Sequence, residues 1–147
     1  MNLEVLKVGM RWWSDNKGRW GADFLHAFYD HLYARRPDQL DEQWWNSTVE
    51  TLASWGAIRS RKPPNTKEKI RTRGLERLPR INQYYQEIRQ LCPGEPTLET
   101  TSWDNIAQLY NVLRQIKGGK SPVLPSKLGH FLLPRVFIVI DTGTLET

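Results

Sequence analysis

The sequence predicts an all-α fold: an orthogonal bundle of five or six helices forming a single domain over residues 1–147. Three observations predict it. Large apolar and aromatic residues recur at helical spacing in successive segments. Residues suited to capping and stopping helices stand at the ends of those segments. The only apolar run of strand type, Val136–Ile140, would have no partner strand in such a chain. It therefore reads as a short extended C-terminal segment or as a helix start. A chain of 147 residues can bury roughly two thirds of its unfolded surface, so one core is enough without a disulfide or metal.

Residues 1–21 are mixed, with Trp12, Trp13 and Trp20 around a polar turn. Over 22–36, Phe24, Leu25, Phe28, Tyr29, Leu32 and Tyr33 form one wide stripe, and Arg35, Arg36 and Pro37 close it. A second helix is expected from Asp41, its cap, to Trp55, with Gly56 as its end and Trp45, Val49 and Leu52 inward. Lys62-Pro-Pro-Asn65 reads as a loop. Helical spacing resumes at Gly74 with Leu75, Leu78, Ile81, Tyr85 and Ile88; Pro79 marks either a helix start or a kink. After the Cys92–Pro96 loop, Thr101 or Ser102 caps a helix whose stripe is Trp103, Ile106, Tyr110, Leu113 and Ile116. Gly118-Gly119 closes it. The last helix is expected from Ser126 to about Leu133, stopped by Pro134.

Seven Trp, five Tyr and four Phe make the chain too aromatic to be disordered. These rings fall on the helical stripes and read as core; Trp12 and Trp13 are the candidates for stacking on a base. Cys92 is the single cysteine, which excludes an intramolecular disulfide and a cysteine-based zinc site. A reducing, cytoplasmic location is the expectation. No run of about 18 apolar residues exists, so no membrane partner is expected, and no cofactor is implied. Asp23, His26 and Asp30 share a helix face but lack a fourth ligand, so no metal site is assigned.

Net charge is +5, yet Arg59 to Arg80 alone carries nine basic and two acidic residues, leaving the rest of the chain slightly acidic. Such a segment suits phosphate, and DNA or RNA is the partner class it implies. The candidate contacts are Arg59, Arg61, Lys62, Lys67, Lys69, Arg71 and Arg73, with Thr66 and Thr72 as hydroxyl donors. The alternating cations would suit a two-stranded flap; a solvated loop is the plainer alternative.

Asp141 follows five apolar residues, where a carboxylate must be capped, paired or proton-sharing. It can cap a following helix, pair with Lys127 or Arg135, or act chemically. Val139-Ile-Asp-Thr142, after a helix and an apolar run, resembles the Val-Asp-Thr motif of the helix-hairpin-helix DNA glycosylases, the endonuclease III superfamily. The resemblance implies a catalytic acid at Asp141 and a Schiff-base nucleophile at Lys127, read here as beginning its helix. Where that family has Leu-Pro-Gly-x-Gly, this chain reads Leu124-Pro-Ser-Lys-Leu-Gly129. The ending is also similar to a group of uncharacterised small helical proteins, matched at Ser126, Lys127, Phe131, Leu132, Pro134, Phe137 and Asp141. In both comparisons a helix continues past the acid, so the sequence is expected to be a truncated form. A non-enzymatic structural or interaction domain, with a packing-only ending, is the alternative function.

Overall fold

The computed structural model describes residues 37–54, 57–58, 63–92, 94–119 and 121–140. All of them fall in the second of two compact units, residues 35–147. Four helices are present among the described residues, and no strand: α1 (Glu42–Ser54), α2 (Lys67–Leu91), α3 (Trp103–Arg114) and α4 (Val123–Leu132). The all-α class holds. The expected helix over 22–36, the Asp23–His26–Asp30 face and the stacking candidates Trp12 and Trp13 lie outside the described residues.

Packing follows chain order. α1 lies against α2, α2 against α3, and α3 against α4. α1 starts where expected, because the Asp41 carboxylate accepts the Trp44 backbone N–H at 2.7 Å and satisfies one open donor of the first turn. Its inner side carries Trp44, Trp45, Val49 and Leu52. The indole of Trp45 is fully buried and donates its Nε1–H to the Arg71 carbonyl at 2.8 Å. That ring lies against Gly74, where α2 has no side chain to obstruct it.

α2 is the long element, and it corrects the expected start at Gly74 or near Pro79, which leaves Pro79 inside the helix. It starts at Lys67, capped by the Thr66 hydroxyl accepting from the Lys69 N–H at 3.3 Å, and it runs through Pro79 without a break. Residues 67–73 are therefore helical, neither loop nor flap. Pro79 is exposed, so the Leu75 carbonyl that loses its usual donor can be met by water. Ile70, Leu78, Ile81, Tyr85 and Ile88 face inward with Gly74. The chain entering α1 is fastened to α2 by a side-chain amide: Leu40 N–H donates to Asn82 Oδ1 at 2.7 Å, and Asn82 Nδ2 donates back to the Leu40 carbonyl. Gln86 also donates to the Asp38 carbonyl, and Arg89 pairs with Asp38 at 3.0 Å while lying 5.3 Å from the Tyr85 ring centre.

α3 is capped by Ser102, whose hydroxyl accepts from Asn105 N–H at 3.2 Å. Its buried residues are Ile106, Leu109, Val112 and Leu113, followed by Ile116. Trp103, expected to join that stripe, is 71% exposed, because it sits at the helix start beyond the packed stretch. α4 begins at Val123, three residues before Ser126, and tolerates Pro125 because first-turn N–H groups have no helical partner. It is buried on nearly every side, as expected of a helix apolar all round. Val136 and Phe137 are buried beyond a tight turn in which Leu133 O accepts from both Val136 and Phe137 N–H at 3.0 Å. The 136–140 run is irregular chain, in line with the extended reading and not with a helix start.

Candidate functional site

The basic segment is only partly free for a ligand. Arg59, Arg61 and Lys62 lie outside the described residues. Lys67 and Arg71, one turn apart on α2, both reach Glu50 of α1, at 3.0 Å and 2.5 Å. Exposed pairs of this kind contribute about 0–1 kcal/mol each, but they cancel part of the local charge. Arg73 is spent inside the fold. Its guanidinium donates to the Ile116 carbonyl at 3.0 Å, to the Pro64 carbonyl, and to Asn65 Oδ1 at 3.4 Å. Arg77 donates to the Arg73 carbonyl and pairs with Glu76 at 3.2 Å. Lys69 and Arg80 are exposed, on a face they share with Glu68 and Glu76. The first turn of α2 also carries its own anion. Glu68 is held below the ordinary carboxylate value by a hydrogen bond with its own backbone N–H, helped by Thr66, Lys67 and Arg71.

What periodicity did not reveal is the partner of this segment. Asn65 Oδ1 accepts the Gly118 N–H at 2.7 Å, and Asn65 Nδ2 donates to the Gly118 carbonyl at 2.8 Å. Together with Arg73 on Ile116, this side-chain amide joins the α1–α2 loop to the α3–α4 loop, 53 residues away. Gly119 has φ +113°, a backbone setting that favours glycine. The second loop begins at the half-exposed Lys117, so the junction adds a cation that lies far from 59–80 in the sequence. The glycine pair was visible as a helix stop; its pairing with Asn65 had no local signature.

The C-terminal candidates separate differently. Lys127 is the fifth residue of α4, not its first, and is only 5% exposed. A cation there needs compensating partners, since burial of an ammonium is costly. Asp141 lies outside the described residues. Its predecessor Ile140 is held by Ser126: the hydroxyl accepts Ile140 N–H at 3.0 Å and donates to the Val123 carbonyl at 2.9 Å. One turn along, His130 Nδ1 lies 2.8 Å from the Phe137 carbonyl and must carry the proton there, because a carbonyl cannot donate. Ser126 and His130 thus clip the returning chain to α4 at two points.

Burial pushes the His130 imidazole below its ordinary value of 6.5, with the Phe137 carbonyl opposing. The folded chain therefore favours the neutral ring. That contribution to stability is present above about pH 6.5 and is lost as pH falls through the lower folded value. Stability should decline more steeply on acidification in the native chain than in His130→Asn, whose amide can keep the bond to Phe137 without titrating. Denaturant midpoints from neutrality down to about pH 5 check this; equal slopes in the two chains would contradict it.

No group of His, Cys, Asp or Glu able to hold a metal occurs among the described residues, and no described helix is long and apolar enough to cross a membrane. Comparison with family models, with curated proteins and with solved structures finds no match.

Proposed function

We propose that this domain binds the phosphate backbone of nucleic acid through the joined α1–α2 and α3–α4 loops. The observation that carries the reading is the Asn65–Gly118 pairing, which joins the start of α2, bearing the exposed Lys69, to the α3–α4 loop, bearing the half-exposed Lys117. Phosphate binding needs several cations facing one way, so that condensed counterions are released together. Lys69 and Lys117 supply them among the described residues, and the sequence adds Arg59, Arg61, Lys62 and Lys120, which lie outside the described residues, while Arg71 and Arg73 mainly hold the frame. Contacts of this class position a backbone and read no sequence.

The test is a duplex titration at two salt concentrations. Binding should fall steeply with salt, and each of Arg61→Ala, Lys62→Ala and Lys117→Ala should reduce the log–log slope by about one. Absence of binding at low salt would sink the proposal.

A second reading concerns the glycosylase-like ending. Ile140 is bonded to Ser126, the residue before Lys127 on α4, while Asp141 lies outside the described residues. The burial of Lys127 in mid-helix supports a packing pair more than an open nucleophile. Borohydride treatment on abasic DNA decides between them. A packing pair gives no covalent adduct; an adduct that is lost in Lys127→Met would instead make Lys127 the nucleophile.

A further inference from the structure

The two ends of the α2–α3 pair differ in chemistry. α2 has 25 residues, so its ends lie about 37 Å apart at 1.5 Å per residue. One end carries Lys69, exposed in the first turn of α2, and Lys117, half-exposed in the loop bonded to Asn65. The other holds four exposed apolar side chains: Leu91, Leu98, Trp103 and Ile138, exposed by 69%, 37%, 71% and 63%. They come from three segments fastened to one another. The Cys92 thiol lies 3.4 Å from the Thr100 carbonyl, which ties the end of α2 to the turn before α3. Leu98 N–H donates to the Arg135 carbonyl at 3.1 Å, which ties that turn to the chain carrying Ile138. Residues 91–113 contain no Lys or Arg but include Glu95, Glu99 and Asp104; among the described residues Arg135 is exposed beside them, and Arg89 is paired with Asp38.

Isolated surface apolar residues need no explanation, but an exposed Trp with three aliphatic neighbours and an acidic rim is the composition of a docking surface. Its occupant follows from charge. Two copies meeting through this same patch would bring both sets of Glu99 and Asp104 into one contact with only Arg135 to offset them, a net like-charge arrangement. The complementary surface is on the molecule's own far end. We propose that the acidic–apolar end of one copy seats on the Lys69–Lys117 end of a second copy, head to tail. No single molecule can satisfy both ends by folding back, because α2 holds them apart. The contact is heterologous, so it can propagate along a chain of copies. It draws on the same Lys69–Lys117 end as the nucleic-acid reading, but it is tested without nucleic acid, so either can fail alone.

The test is sedimentation of the full chain over a concentration series, without nucleic acid. Association should weaken as salt rises, because it rests on opposite charges. Trp103→Glu should weaken it about thirty-fold, as expected for an aromatic anchor at an interface centre. Lys69→Glu with Lys117→Glu should abolish it from the other side. Each of these variants alone should be monomeric, and an equimolar mixture of the two should form a dimer, since each retains the end the other lacks. Unchanged thermal melts show that the variants fold, since Trp103 and Lys69 are exposed and Lys117 half-exposed. A native chain that stays monomeric at low salt overturns the proposal. So does association that strengthens with salt and fails to appear in the mixture, which would mark a symmetric apolar contact.

Discussion

Gly74→Ala should destabilise the domain by about 1–3 kcal/mol, although alanine is the better helix former. On propensity alone the change would be favourable by about 1 kcal/mol. Packing reverses the sign. A Cβ at position 74 would lie 1.8 Å and 2.0 Å from Cζ2 and Cε2 of the Trp45 ring. Nothing at that distance is accommodated by a small shift. The indole must swing out, and with it go the Nε1–H bond to the Arg71 carbonyl and the packing of the ring against Gly74 of α2. The loss is bounded above by removal of the ring itself, about 3–5 kcal/mol for a buried Trp→Ala. A double-mutant cycle isolates the cause. Trp45→Leu shortens the side chain, so Gly74→Ala on that background should cost little or stabilise. Chemical denaturation of the four chains measures the coupling. Equal costs of Gly74→Ala on both backgrounds would show that the glycine matters for another reason.

Gly129→Ala should have a comparable effect at the other end of the fold, about 1–3 kcal/mol, and should release the C-terminal chain. The added Cβ would stand 2.6 Å from Cγ and 2.7 Å from Cδ1 of Phe137. Phe137 is 7% exposed and is seated between the Ser126 and His130 anchors. Displacing its ring pulls on both hydrogen bonds, so the segment after Leu133 should open before the helices do. Limited proteolysis should then cut after residue 133 in Gly129→Ala but not in the native chain. Phe137→Ala loses the ring outright; combined with Gly129→Ala it should be no worse than alone. Additive losses would contradict the account.

These two glycines also show where local reading stops. Gly74 was visible as the point where helical spacing resumes, yet α2 begins seven residues earlier. The reason is that residues 67–73 are dominated by cations, and cations mask the apolar period on which such reading depends. Ile70 alone marks the buried side there. Thr66 is the cap in the structure, but Lys62-Pro-Pro-Asn65 and Pro79 both argued for interruption. An exposed Pro79 costs the helix one hydrogen bond without blocking a neighbour, and the packing of Ile70, Leu78 and Ile81 outweighs it.

The candidate residues divide along the same line. Local chemistry identified the cation-rich run, the caps at Asp41 and Ser102, the inward faces of Trp45, Val49 and Leu52, and the turn at Pro134. Each of these depends on near neighbours, and helical periodicity, capping and proline geometry act over only a few residues. Which cations remain available could not be read that way. Glu50 takes Lys67 and Arg71 across a helix pair, and Arg73 reaches a carbonyl 43 residues away. Gly118 meets Asn65 only because three helices pack in sequence and return the chain to the start of α2. Lys127 resembled a helix-start nucleophile on motif alone; α4 begins four residues sooner and buries it. Composition and periodicity are local properties of the chain, and they were enough for an all-α domain with one basic stretch. Burial, charge pairing and the joining of distant loops are properties of the packed helices, and they determine what that stretch can bind.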